Sequence, residues 1–468
     1  MATEIAAPGN PAMIAEAQSR AEALANAIQQ PVIAPHTFTF VANFDGTRND
    51  RENPEHAGTP YISAVGSLSK QIKPSDHVAV KYEKGVGSPG TPLISHALPD
   101  AESKAMAQRM CDQLGKQIIK WKKESGQEEI EITVLLNTFS RGSVAGAYFS
   151  QKLFTEGIVN PEAPTKPDGS ANYLIPPGKV GISGGLIISP VNSGSVGDNL
   201  AFAPNVQNLA VIIADHEFRT NYQQAIYNQP GISTYHFIGN HGDVGTFYDN
   251  GLGAIHLDAY YKYFRALGAV VKDDPERQFD PSQAVMHYEA WGIDAFWNYS
   301  YASVVDGIEA RTVLAGSPAV FTDDGMLFRG LDGKLTLYSK ENFPWSAQYA
   351  RYKDESEEKN AQIEAQRRAE IEYSAAVREA GIEAYGSLIQ LGQAVESGDG
   401  IDIARALAHY TLAQDKNAVL LGQESSLGEA GSHGLSAVTN ALDLTQALRG
   451  GDGWGIASET AALLRDID

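Results

Sequence analysis

Residues 130–149 read IEITVLLNTFSRGSVAGAYF. Ile130–Leu136 alternates and then becomes fully apolar, as a central parallel strand does when both of its faces are covered. Asn137–Gly142 reads as a tight turn, and Ser143–Phe154 carries the apolar spacing of a helix. The same unit recurs on either side. His36–Ala42 (HTFTFVA), Val78–Tyr82 (VAVKY), Lys179–Ile188 (KVGISGGLII) and Thr234–Gly239 (TYHFIG) read as strands. Ala101–Lys123, Asn205–Asp215 and Leu252–Leu267 read as helices, and so does the Ala-rich stretch 12–30, which Pro31 and Pro35 stop. This alternation predicts an α/β fold with an open, mostly parallel sheet flanked by helices. Such sheets hold ligands at the carboxyl ends of their strands. Three of the strands run into polar, Gly-bearing turns: Asn43–Asp50, Asn137–Gly142 and Gly239–Gly245.

The chain has 468 residues, 43% hydrophobic and 20% charged, enough apolar material for a large core. Asp and Glu number 57 against 36 Lys and Arg, a formal charge of −21. A surface this acidic repels phosphate backbones, which disfavours nucleic-acid binding through a broad basic face. The single cysteine, Cys111, excludes an intramolecular disulfide and fits folding in a reducing cytosol. No apolar run reaches the ~18 residues that a membrane helix needs. The N-terminus lacks the basic and apolar regions of a standard secretory signal, so export would require a dedicated system.

Composition changes after about residue 345. Asp354–Arg378 reads as a charged, solvated helix. Leu391–Ala404 (LGQAVESGDGIDIA) is echoed by Leu444–Ala457 (LTQALRGGDGWGIA), each reading helix, Gly-Asp-Gly, helix. Helix capping accounts for the Asp residues, and calcium binding would need more oxygen ligands than each loop offers. The expected organisation is an N-terminal helix (1–35), an α/β domain (36–350), a charged helical connector (351–390) and an all-helical repeat region (391–468). The chain stops just after a repeat unit, as a piece of something longer would.

Three turns carry candidate chemistry. Thr138-Phe139-Ser140-Arg141-Gly142 follows a strand and precedes a helix, the setting of a G-x-S-x-G nucleophile elbow with Thr for the first Gly. That Thr is tolerated if its side chain points away from the turn. The helix N-terminus favours negative charge at Ser140, and the Arg141 amide is a candidate oxyanion donor. An ordinary βα turn is the plainer reading. Phe44-Asp45-Gly46-Thr47 evokes the haloacid-dehalogenase phosphatases, but Asn43 stands where their nucleophilic Asp belongs and cannot form an aspartyl phosphate. What remains is a loop offering amides of Gly46 and Thr47 to a reaction centre, or a turn that Asp45 caps. In Gly239-Asn240-His241-Gly242-Asp243-Val244-Gly245, His241 is a candidate general base for Ser140 or an ordinary loop histidine. His287 is a weaker alternative.

Taken jointly, FDGTRND, TFSRGS and HGDVGTFY resemble, in order, the F-D-G-T-x-N, G-F-S-R-G-A and H-S-D-V-G-G motifs of the α/β-hydrolase domain of type VI secretion phospholipase effectors. The stretch 208–219 (NLAVIIADHEFR) is similar to their A-L-D-E-R-R segment, and the resemblance spans about residues 36–270. It implies a serine esterase with Ser140 and His241 as catalytic pair. It further implies a glycerophospholipid substrate, peripheral membrane contact, no cofactor, and a secreted antibacterial effector met by secretion machinery or an immunity protein. One departure stands out. The family carries its triad acid in an F-D-T-V segment after the strand that follows the elbow. Here that strand runs into Ile188-Ser189-Pro190-Val191, with no carboxylate. Asp198 is the first substitute considered, then Asp215 and Asp243, the last better suited to holding the His241 loop.

Two other readings stay open. The C-terminal helices could form a delivery or interaction module on a weakly active or inactive hydrolase scaffold. Alternatively, Asp45, Asn49, Asp50, His241 and Asp243 could build an oxygen-rich metal site, although no H-E-x-x-H or comparable cluster is present.

Overall fold

The computed structural model describes residues 2–4, 9–89, 99–191, 200–217, 222–289, 312–315, 319–329, 335–342, 349–361, 390, 404 and 406–413. Its centre is a six-stranded sheet of β1 (Phe38–Phe44), β2 (Val78–Glu83), β3 (Ile132–Phe139), β4 (Ile182–Ile188), β5 (Leu209–Ala214) and β6 (Ile232–Phe237). The order is β6-β5-β4-β3-β1-β2, and every pairing is parallel. The expected α/β class is therefore what the chain adopts.

Alternate strand residues face opposite helical layers, as the period of two requires. Val41, Leu135, Phe139, Leu186 and Ile212 point into one core. There they meet Ala17, Ala21 and Leu24 of α1 (Pro11–Ala25), Val65 and Leu68 of α2 (Ala64–Gln71), and Tyr260, Tyr263 and Phe264 of α6 (Leu252–Ala266). On the other face lie α3 (Pro99–Ser125) and α4 (Gly142–Thr155). Trp121 of α3 packs on Phe38 with ring centroids 5.0 Å apart, and Phe149 of α4 on Phe44 at 5.7 Å.

One element differs from the reading above. Residues 209–214, expected within a helix, form β5, and all six side chains are buried. LAVIIA is short and β-rich, and a run apolar at every position has no period that could separate helix from strand. Sheet neighbours on both sides decide it.

The chain divides into two compact units, Met1–Asp294 with Arg311–Gln362, and Ala295–Ala310 with Ile363–Asp468. The first also holds a small antiparallel sheet, Val320–Phe321, Gly325–Arg329 and Leu335–Ser339. Residues 349–361 are helical. The start of the charged connector is thus not wholly solvated: Tyr352 is buried and donates to Val206 O, and Lys359 Nζ donates to Gln229 O at 2.6 Å. In the second unit, 406–413 is helical, and both repeat copies lie almost wholly outside the described residues.

Candidate active site

Ser140 sits between β3 and α4 with φ +54°, the left-handed region that a non-glycine residue rarely adopts. The sharp turn lifts its side chain above the carboxyl edge of the sheet. Two glycines make the turn possible. A Cβ on Gly142 would lie 2.3 Å from Phe44 O, and one on Gly46 would lie 2.9 Å from Ser140 Cβ. Thr138 fits because its side chain turns toward α4. Its hydroxyl pairs with Ser143 Oγ at 3.0 Å, and its methyl occupies the room that Gly146 leaves.

The His241 loop is built by a reciprocal cap. Asn240 Oδ1 accepts the amides of Gly242 and Asp243, and Asp243 Oδ2 accepts the amide of Asn240 at 2.9 Å. His241 opens α5 (His241–Gly245). Its Nε2 lies 2.9 Å from Ser140 Oγ, and both residues are buried, at 5% and 6% exposure. Phe139 stacks on the imidazole at 4.6 Å, and Tyr222 meets it edge-on at 5.2 Å. These two rings hold the imidazole plane. Ser140 and His241 are thus brought together across 101 positions of sequence.

None of the three proposed acids is shown on the far nitrogen of the imidazole. Asp198 lies outside the described residues. Asp215 instead engages Arg20 and His236, its Oδ1 2.9 Å from His236 Nδ1. Asp243 caps the loop and also pairs with His287 Nδ1 at 2.7 Å. Among the described residues, the Ser189 hydroxyl lies on His241 Nδ1, at 2.7 Å. Ser189 Oγ also lies 2.9 Å from Gln224 Oε1. Ser189 directly follows β4, and as a hydroxyl residue it carries no sequence signal for an acid. Gln224, on a strand paired with Thr312–Leu314, carries no sequence signal. Glu217, also missed, is buried and accepts the His241 amide at 3.3 Å.

The β1 loop presses on the elbow, and its chemistry differs in part from the expectation. Asp45 is fully buried and accepts from the Tyr82 hydroxyl (2.7 Å), the Ser63 hydroxyl (2.7 Å) and the Gly46 amide (2.8 Å). Burial outweighs these bonds and pushes its carboxyl up to about 6. The Gly46 amide is therefore occupied, which leaves exposed Thr47 as the loop's oxyanion candidate beside Arg141. Of the five residues considered for a metal site, three already hold hydrogen bonds: Asp45 from hydroxyls, His241 with Ser140 and Ser189, Asp243 in its cap and with His287. Another acidic group does form. Asp243, Asp249 and His287 bring one ligand atom each within 4.8 Å of one another. The Asp243–His287 bond occupies part of it, and burial pushes Asp249 up to about 6. Among the described residues no helix is long and apolar enough to cross a membrane.

The fold and these contacts define a parallel α/β protein with a buried serine–histidine pair at the carboxyl ends of its central strands. No protein-family profile matches the chain, and no curated protein matches it. Solved structures with distant similarity include the following two. One is an uncharacterized protein from Pseudomonas aeruginosa, 14% identical over 66% of this chain and 58% of that one, with a TM-score of 0.35. The other is the Tle1 effector bound to the VgrG spike from the type 6 secretion system, 16% identical over 47% of this chain and 52% of that one, with a TM-score of 0.32. The chain spans little more than half the length of either. Similarity at this level assigns it no activity, substrate or partner.

Proposed function

We propose that the chain is a serine hydrolase that cleaves carboxylic esters. The observation that carries the reading is the 2.9 Å contact between Ser140 Oγ, on a left-handed elbow, and His241 Nε2. In this reading Ser140 Oγ attacks the ester carbonyl carbon while its proton passes to Nε2. The oxyanion meets the Arg141 amide at the α4 N-terminus and the Thr47 amide. As the tetrahedral intermediate collapses, the C–O bond breaks and Nε2 returns the proton to the leaving alkoxide. Water, deprotonated by the same nitrogen, then attacks the acyl-enzyme. The carboxylic acid leaves, and the proton goes back to Ser140. The motif resemblance points further, to phospholipid esters, peripheral contact with a membrane surface, and export as an antibacterial effector through dedicated machinery.

The test is a fluorophosphonate probe with mass spectrometry of the labelled residue, alongside hydrolysis of a short-chain fluorogenic ester and a phospholipid. Labelling at Ser140, with turnover lost in Ser140→Ala, is the expected result. Unchanged hydrolysis in that variant removes the assignment.

A further inference from the structure

We propose that Ser189 and Gln224 form a neutral relay that sets the proton of His241 on Nδ1. The reasoning starts at the backbone of Ala214, the last residue of β5. Its N–H donates to Gln224 Oε1 at 2.8 Å, and its carbonyl accepts from Gln224 Nε2 at 2.8 Å. The reversed amide would set N–H against NH2 and oxygen against oxygen, so this double pairing selects one orientation. The atom 2.9 Å from Ser189 Oγ is then Oε1, which can only accept. Ser189 must spend its single proton on Gln224. What its oxygen turns toward His241 Nδ1, 2.7 Å away, is a lone pair. Nδ1 therefore carries the hydrogen, and the neutral ring keeps its lone pair on Nε2, facing the Ser140 hydroxyl at 2.9 Å. That is the tautomer a general base requires.

The relay is held stiffly. Ser189 and Gln224 are both buried, and Ser189, at φ +39°, anchors its amide on Ile212 O at 2.8 Å. Oε1 receives two donors, one for each lone pair. Among the described residues, the titratable groups around the imidazole loop include Glu217 on its backbone amide, Tyr222 on the ring edge, Asp243 within the loop, and His287 and His256 against Asp243. A hydroxyl relay orients the ring as a carboxylate would, but adds no negative charge beside the imidazolium.

The catalytic consequence rests on the esterase reading, whereas the tautomer is measured without turnover. The experiment records 15N shifts of the His241 ring, at a pH where the ring is neutral, in the full-length protein and its variants, together with ester hydrolysis. The wild-type protein is expected to show a protonated Nδ1 and a bare Nε2. Ser189→Ala should let the proton redistribute and lower kcat on the order of 10²-fold, with KM little changed. Ser189→Asn should restore both readouts. Asn tolerates the left-handed backbone, its oxygen can accept from Nδ1–H, and its NH2 can donate to Gln224. Glu217→Gln should leave the nitrogen pattern intact. A wild-type proton on Nε2, an unchanged pattern in Ser189→Ala, or a pattern lost in Glu217→Gln overturns the relay. If Ser140→Ala retains hydrolysis while the nitrogen pattern is as expected, the esterase reading falls and the relay stands.

Discussion

At Ser140 the backbone is held at φ +54°, which costs a non-glycine residue about 1–2 kcal/mol. The cost can be isolated by comparing two variants that both lack the hydroxyl. Ser140→Gly should be more stable than Ser140→Ala by about 1 kcal/mol in urea unfolding, because only glycine is unstrained there. Equal stability would mean the turn is relaxed. Gly142 tests the neighbouring approach. Ala at this position puts a methyl 2.3 Å from a backbone carbonyl that cannot swing aside, so a loss of about 1–3 kcal/mol is expected, together with loss of probe labelling at Ser140. Gly142 and the serine were readable in the sequence, because an elbow demands small residues at fixed offsets. The partner of Nδ1 was not. Sequence points only to carboxylates behind His241, whereas among the described residues the Ser189 hydroxyl stands on Nδ1, meaningful only once Gln224 directs its proton.

Among the elements, α5 rests on α6 through His256, which is wholly buried with Nδ1 3.2 Å from Asp243 O. Desolvation pushes this imidazole down from 6.5 to about 4. The folded state thus resists a proton that the unfolded chain accepts below pH 6.5. Stability present above that pH falls as the solution is acidified toward 4, by up to about 1.4 kcal/mol per pH unit. His256→Leu should flatten this limb of the curve; urea midpoints at pH 7 and 5 would show it. Asp45 works in the opposite sense. Its raised carboxyl keeps a proton in the fold that the unfolded chain has lost, so its contribution weakens as pH rises through about 6. The stability of Asp45→Asn relative to wild type should therefore grow between pH 4 and 7. Parallel strands were legible where a Gly-bearing turn followed them. β5 was not, because six consecutive apolar residues carry no period.

Across the whole first unit, α1 belongs to the core that covers the sheet, and Leu24 within it is fully buried. Leu24→Ala should cost about 2–5 kcal/mol in chemical unfolding, a penalty that a loosely attached terminal helix would not show. The formal charge of −21 acts over longer distances. Binding to anionic vesicles should be weaker than to zwitterionic ones at low salt, and the gap should close as salt screens the repulsion, measured by co-sedimentation. The amino-acid sequence alone determined the class of fold, the strand ends that bear the loops, and the serine and histidine that meet, because these follow from local period, turn chemistry and residue type. Only the tertiary structure decided which hydroxyl meets the histidine and which loop amide is already occupied. Those outcomes depend on the direction in which buried donors point, and folding sets that direction by joining Ala214, Gln224, Ser189 and His241 into one chain of hydrogen bonds.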